Sequence, residues 1–155
     1  MARPSCKVLV SAVLATGLAL AVSAAPARAD GQLGARAGLV TDDEDLFVGV
    51  EWLMNVSHSW YFDPNLEYAF AGHDYLTLNA DFHYDFLKNK PYFFWAGAGP
   101  ALILRHDDPE HDDSDWGANV FAGFGWKRKS WTPYVQAKVV LSNDDSLAVA
   151  VGVRF

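Results

Sequence analysis

Apolar and polar residues alternate with a period of two along most of the chain after residue 30. The last segment, 146–155, places these bulky side chains on one face: Leu147, Val149, Val151, Val153 and Phe155. Its other face carries small or polar residues: Ser146, Ala148, Ala150, Gly152 and Arg154. Segment 75–87 alternates in the same way. A period of two predicts β-strands with one polar and one apolar face.

Eight such segments predict strands at 31–40, 46–56, 59–71, 75–87, 91–105, 116–127, 131–142 and 146–155. Most are longer than the roughly five or six residues common in soluble proteins. They match the roughly nine to eleven residues of a tilted membrane-crossing strand. The pattern therefore predicts an all-β fold, an eight-stranded antiparallel up-and-down transmembrane β-barrel.

The composition of the two faces favours a membrane barrel. An eight-stranded barrel has little interior space, so small residues and paired charges would fill it while bulky residues face lipid. The alternative is a secreted lipocalin-like barrel, which would seal the valines of the last strand inside. The fifth segment is apolar on both faces, and Pro100 predicts a bulge or an irregular pair near Gly97 and Gly99.

The first residues resemble an export signal. Arg3 and Lys7 precede an apolar run over 8–22, and Ala27 and Ala29 supply small residues for cleavage before Asp30. The run is shorter than the roughly twenty residues that a spanning helix needs. We therefore expect 1–29 to be a cleaved signal peptide, with a retained anchor as the alternative, and 30–155 to be the barrel domain. The single cysteine, Cys6, leaves with the peptide, which excludes disulfides and cysteine-based zinc sites.

Charge is divided between alternate connections. The net charge of -7 disfavours nucleic-acid binding. The odd-numbered connections, 41–45, 72–74, 106–115 and 143–145, hold most of the 19 acidic residues and no Lys or Arg. The even-numbered connections carry Lys88, Lys90, Lys127, Arg128 and Lys129 and no acid. An up-and-down barrel with this sequence has an acidic end and a basic end.

Aromatic residues follow the same division. A girdle typical of the water–lipid boundary is predicted at the basic end, from Trp52, Trp60, Tyr61, Phe62, Tyr84, Phe86, Tyr92, Phe94, Trp126 and Trp131. A thinner set is predicted at the acidic end: Phe47, Phe70, Tyr75 and Trp116. Short connections mark the periplasmic end of such barrels, so we expect the basic end in the periplasm and the loop 106–115 outside the cell.

The chain resembles the small eight-stranded outer-membrane β-barrel family, which includes OmpA-like and OmpX-like barrels. The resemblance rests on the C-terminal strand 148–155, which ends on phenylalanine, and on the stretches 91–99 and 131–138. It implies that Phe155 is part of the signal read by the barrel-assembly machinery. The odd-numbered loops are much shorter than in many members, which disfavours large-loop adhesion or receptor roles.

Several polar residues on the predicted inner face are candidates for a site. Asp81, His83 and Asp85 share one face, as a metal site or an acid–base pair would require. We favour a structural network in the lumen, because buried charges must find partners. Its predicted members are Arg36, Glu51, Glu67, Asp81, His83, Asp85, Lys138 and Arg154. Such a network would plug the barrel.

The longest predicted loop is rich in oxygen ligands: Asp107, Asp108, Glu110, Asp112, Asp113 and Asp115. It lacks the glycine and glutamate that organise a calcium loop. We expect a solvated acidic loop, with loose divalent-cation binding that bridges to lipopolysaccharide phosphates as the alternative.

The sequence predicts a monomeric outer-membrane barrel with a structural or interaction role, whose partners are membrane lipid, lipopolysaccharide and the assembly machinery. We expect no enzyme activity, catalytic residue or cofactor. The scaffold does carry lipid A deacylases, acyltransferases and surface proteases. However, Ser57, His58 and Ser59 lie at an even-numbered connection and lack the deacylase pattern His-x-Ser-Asn. A small-solute or ion pore and a lipid-modifying enzyme remain as alternatives.

Overall fold

The computed structural model describes residues 31–41, 45–70, 74–87, 90–108, 111–143 and 145–155; the side chains of 106–108 and 111–113 are not described. The strands are β1 (Gly31–Val40), β2 (Asp45–Ser57), β3 (Trp60–Phe70), β4 (Tyr75–Phe86), β5 (Tyr92–Asp108), β6 (His111–Trp126), β7 (Thr132–Leu141) and β8 (Ser146–Arg154). Every neighbouring pair is antiparallel, and β8 pairs with β1 to close the barrel. The predicted fold class is confirmed. The predicted signal peptide lies outside the described residues. Within the described ranges, no helix is long and apolar enough to cross a membrane.

The polarity of the barrel is inverted relative to a soluble protein. On β8, Val149 and Val151 face outward with 48% and 60% of their surface exposed, whereas Ala148, Ala150 and Arg154 are buried. On β4 the outward set includes Leu78, Phe82, Tyr84 and Phe86, and the inward set is Thr77, Asn79, Asp81, His83 and Asp85. A continuous apolar outer surface of this kind is unfavourable in water and favourable in lipid. The soluble-barrel alternative is wrong, because it required the valines of β8 to be sealed inside.

The hairpin between β5 and β6 is longer than predicted. The segment 106–115, predicted as a loop, is mostly strand, because pairing continues to Asp108 and resumes at His111 with a bulge between His106 and Asp108. Both faces of this extension are polar, so no period of two distinguishes it from a loop. Backbone hydrogen bonds nevertheless extend the ladder, because antiparallel pairing does not require an apolar face.

Pro100 interrupts the pairing of β4 with β5 but produces no bulge there, which was one of the two predicted outcomes. The β4–β5 register pairs Asn79 with Ala101 and Phe82 with Ala98, and it omits the residues between them without a shift. This irregular pairing was predicted, and its cause is the missing N–H of proline. On the other side of β5 the register with β6 is continuous through Pro100. The described bulge between β2 and β3 falls instead at Asn55 and Ser57.

The interior holds large aromatic side chains as well as small and charged ones, which corrects the expectation that bulky residues all face lipid. Each of the five fully buried Phe, Trp and Tyr residues among the described residues pairs in register with a glycine: Phe47 with Gly38, Phe93 with Gly125, Trp95 with Gly123, Phe121 with Gly97, and Tyr134 with Gly152. A Cβ on Gly123 would run into the Trp95 indole, and one on Gly152 into the Tyr134 ring. The glycines therefore supply the space that the rings occupy.

Three residues assigned to the aromatic girdles lie inside the barrel. Tyr75 shares the inward face of β4 with Thr77 and packs against the inner cluster at the acidic end. Phe47 is 3% exposed and packs in an inner cluster near the acidic end. Tyr61 is half-buried and stacks on the buried His83 ring, with 5.4 Å between the ring centres. All three occupy inward positions of their strands, and their place near a strand end did not indicate which face they occupy.

Candidate functional site

Charged side chains from five strands form a buried ion-pair network in the middle of the barrel. Arg36 on β1 lies 3.5 Å from the Glu51 carboxylate on β2 and 3.0 Å from the Glu67 carboxylate on β3. Lys138 on β7 pairs with Glu67. Arg154 on β8 donates from Nε to Glu51 Oε1 at 2.6 Å. Together these contacts link the barrel wall across its interior, and we call the set, with the amides described next, the central network.

Asparagine side chains extend the central network. Asn65 donates to Asp81 at 2.9 Å, and Asn119 donates to Asp81 at 3.0 Å and to the Asn79 side-chain oxygen at 2.7 Å. Asn79 in turn donates to Asn65 at 2.7 Å. Sequence reasoning did not assign these amides, or Asp63, to the network. These residues could have been found from the alternating pattern of β3, β4 and β6, which places them on the inward face of the barrel.

The structure separates the three candidate metal or acid–base residues on β4. Asp81 accepts hydrogen bonds from Asn65 and Asn119 of the central network, whereas His83 Nε2 lies 3.3 Å from Asp85 Oδ1 nearer the basic end. Among the described residues, no group of three or more His, Cys, Asp and Glu side chains is arranged to hold a metal ion. All eight residues predicted for the lumen network are buried. Six of them, Arg36, Glu51, Glu67, Asp81, Lys138 and Arg154, belong to the central network. The other two, His83 and Asp85, form a separate pair.

Apolar side chains cover the central network on both sides along the barrel axis. Toward the acidic end lies the apolar layer: Val40, Phe47, Ala69, Ala148 and Ala150, with Tyr75 against it. Toward the basic end lies the aromatic layer: Phe93, Trp95, Phe121 and Tyr134. The Arg154 guanidinium lies 4.8 Å from the Trp95 ring centre and 4.6 Å from that of Tyr134. Arg154 thus connects the aromatic layer to Glu51 of the central network.

A cavity of about 400 Å³ opens at the basic end, outside the aromatic layer. Its lining is supplied by β1 to β5, β7 and the connection between β6 and β7: Gly31, Gln32, Leu53, Asn55, Tyr61, Asp85, Phe93, Lys127, Arg128 and Thr132. We call it the basic-end cavity. It is the mouth of the barrel on the side of the even-numbered connections.

Other candidate residues are scattered over the two ends. Asp115 accepts a hydrogen bond from the Asn143 amide at 2.9 Å. The remaining acidic residues of the candidate cation loop, at 107, 108, 110, 112 and 113, lie outside the described side chains. Ser57 Oγ is 3.4 Å from His58 Nδ1 in the β2–β3 turn at the basic end. The backbone N–H of Phe155 donates to the Leu33 carbonyl at 2.8 Å, which holds the last residue on β1.

Comparison with known proteins supports the fold but not a specific activity. No protein-family model and no curated protein matches the chain. Among solved structures, the chain is similar to the N-terminal β-barrel domain of Pseudomonas aeruginosa OprF, with a TM-score of 0.68, 12% identity, and 81% of this chain and 95% of that chain covered. It is also similar to Neisserial surface protein A, with a TM-score of 0.65, 15% identity, and coverage of 80% and 94%.

A third similar structure is the outer membrane enzyme PagL, with a TM-score of 0.61, 14% identity, and coverage of 80% and 98%. One of these neighbours is an enzyme, and at 12% to 15% identity the likeness shows the fold alone. Taken with the closed β1–β8 seam and the inverted polarity, it shows that the chain has the fold of the small eight-stranded outer-membrane β-barrels.

Proposed function

We propose that this chain is a structural barrel of the bacterial outer membrane, with a lumen that is closed to solute flow and ends that interact with the envelope. The observation that carries the proposal is the layering of the lumen. The central network neutralises Glu51 and Glu67 with Arg36, Lys138 and Arg154. Apolar side chains cover it on both sides.

Each part of the lumen opposes ion passage for a different reason. The paired charges fill the centre, where eight strands leave little space. Apart from the Tyr134 hydroxyl and the Trp95 indole N–H, the side chains of the apolar and aromatic layers offer no polar groups to replace the hydration shell of a passing ion, as in hydrophobic constrictions that close channels. A conducting path would have to cross all three.

Orientation and export belong to the same proposal. Residues 1–29 act as the cleaved signal peptide, the basic end faces the periplasm and the acidic end faces outward. Phe155 serves the assembly machinery, and the monomeric barrel contacts membrane lipid and lipopolysaccharide. Loose divalent-cation binding by the 106–115 segment remains a prediction. Cell fractionation, N-terminal sequencing and a comparison of unheated with boiled gel migration test this part; a soluble product without a heat-dependent shift would contradict it.

Planar-bilayer recordings of the purified protein test closure. We expect no discrete conductance under conditions in which a general porin, added in the same detergent, gives regular steps. Uniform openings that scale with protein concentration would contradict the closed lumen and favour the pore alternative. One observation supports that alternative: Arg36 Nε, Asn119 Oδ1 and Tyr134 OH are buried without hydrogen-bond partners among the described residues, as if water reached them.

We also propose that the chain has no catalytic role. The fold alone does not decide this, because PagL is an enzyme with a similar fold. Ser57 and His58 are adjacent in a turn at the end that we place in the periplasm, away from the outer leaflet. Mass analysis of lipid A from cells with and without the chain should give identical spectra, and any loss or gain of an acyl chain would contradict this part.

A further inference from the structure

The basic-end cavity has the size of a small-molecule site. Its volume of about 400 Å³ lies in the range of ligand pockets, roughly 300 to 1,000 Å³. It is much larger than the roughly 30 Å³ that one water molecule occupies, so a bare ion would not fill it. The Tyr61 and Phe93 rings supply apolar wall, and Gln32, Asn55 and Thr132 supply hydrogen-bonding groups.

Asp85 provides a carboxylate directed at this cavity. Asp85 is one of the lining residues, and only 6% of its surface is exposed. Its Oδ1 has no hydrogen-bond partner among the described residues, and the nearby His83 Nε2 at 3.3 Å is not aligned to donate. Oδ1 itself is turned toward His83 and is inaccessible, but a carboxylate this deeply buried without an aligned donor there is costly. A cationic or N–H-bearing partner in the cavity that Asp85 lines would therefore stabilise it.

The buried charges of the lumen do not supply that partner. Among the described residues, buried carboxylates outnumber buried guanidinium and ammonium groups. The three cations, Arg36, Lys138 and Arg154, have Glu51, Glu67 and Asp63 as their ion-pair neighbours. Asp85 is therefore without an arginine or lysine partner among these buried groups.

Positive charge lines a different part of the same cavity. Lys127 and Arg128, which directly follow β6, both contribute to the lining. The Lys127 ammonium lies 5.2 Å from the centre of the Phe93 ring, which places it at the cavity wall. A ligand carboxylate would find charge-assisted donors here.

The geometry points to a binding site for a small zwitterion of the amino-acid or short-peptide class. The ligand ammonium contacts Asp85, and its carboxylate contacts Lys127 and Arg128. Its body rests against Tyr61 and Phe93. This site goes beyond the proposed structural role, and it does not depend on which end of the barrel faces the periplasm.

The test uses the protein isolated from membranes of an expressing strain, labelled with ¹⁵N in detergent micelles and titrated with L-alanyl-L-alanine. Two singly charged analogues are titrated in parallel: the N-acetyl dipeptide, which lacks the ammonium, and the dipeptide amide, which lacks the carboxylate. We expect saturable shifts of the Gln32 and Thr132 amides with the dipeptide. Each analogue should bind about tenfold more weakly, because it loses a hydrogen bond to a charged group.

Variants assign the two charges. Asp85→Asn should abolish the preference for the dipeptide over its N-acetyl analogue while leaving the preference over the amide. The double change Lys127→Gln/Arg128→Gln should do the reverse. Lys90→Gln, at the same end but outside the lining, is the matched control and should change neither ratio. Equal binding of all three compounds, or an unchanged ammonium preference in Asp85→Asn, would overturn the proposal, as would the absence of saturable shifts.

Discussion

Glu51→Gln should strongly destabilise the barrel. The Glu51 carboxylate is 2% exposed, accepts from Arg154 Nε at 2.6 Å and lies 3.5 Å from Arg36. The amide keeps the size of the side chain but leaves two buried guanidinium groups without this counter-charge. Breaking a buried ion pair by removing one partner costs about 3–5 kcal/mol. We expect a loss of that order in the free energy of unfolding.

The assay is equilibrium urea unfolding of the protein in lipid vesicles, followed by tryptophan fluorescence and by gel migration without boiling. Arg154→Gln should also destabilise, and the double variant Glu51→Gln/Arg154→Gln should lose clearly less than the sum of the single losses. Asp74→Asn, whose carboxylate accepts from the Tyr68 hydroxyl near the acidic end, is the control for removing a charge outside the central network. A loss below about 1 kcal/mol in Glu51→Gln, or strict additivity with Arg154→Gln, would refute the reasoning.

Three further changes test the wall and the assembly of the barrel. Gly123→Ala places a carbon against Trp95 and should lower the free energy of unfolding in vesicles by about 1–3 kcal/mol. Ala122→Val, on the outward side of the same strand, should be tolerated, and equal effects of the two changes would contradict the register. Val151→Lys should lower the free energy of unfolding in vesicles by about 2–4 kcal/mol. A loss of less than about 0.5 kcal/mol, as is usual for a water-exposed surface residue, would argue against a lipid-facing β8. Phe155→Ala should lower the heat-modifiable fraction recovered from cells without slowing refolding in detergent; a matching defect in detergent would point to stability rather than to an assembly signal.

The sequence predicts the fold well because membrane strands follow one simple rule. Outward residues must be apolar over the full thickness of the bilayer, so the period of two persists along each strand and defines β1 to β8 closely. The rule fails where that constraint ends. The polar extension of the β5–β6 hairpin beyond Arg105 gives no periodic signal, and its strands were therefore predicted as a loop.

The lumen was predicted less completely, because its arrangement depends on register between strands. The buried charges other than Asp63 were predicted from their inward position in the alternating pattern alone. The aromatic layer did not, since Trp95 and Tyr134 become recognisable as inward residues only when each lies opposite a glycine, Gly123 and Gly152, on the neighbouring strand. The same holds for the amides that surround Asp81, which come from three different strands. Which large side chain lies opposite a glycine, and which donor meets which acceptor, depends on how two strands pair. A single strand's sequence does not contain that information.

The topology makes closure of the barrel and completion of the central network interdependent. Arg154 is the last residue of β8, and its partner Glu51 is on β2, 103 residues earlier in the chain. Both side chains reach the lumen only when β8 pairs with β1, because that seam turns the sheet into a cylinder. An open sheet would leave Glu51 without Arg154, and the Trp95 and Tyr134 rings without the guanidinium that contacts them both. The cost of unpaired charge away from water therefore disfavours partly closed states, so the buried ion pairs and the seam should be lost together on unfolding.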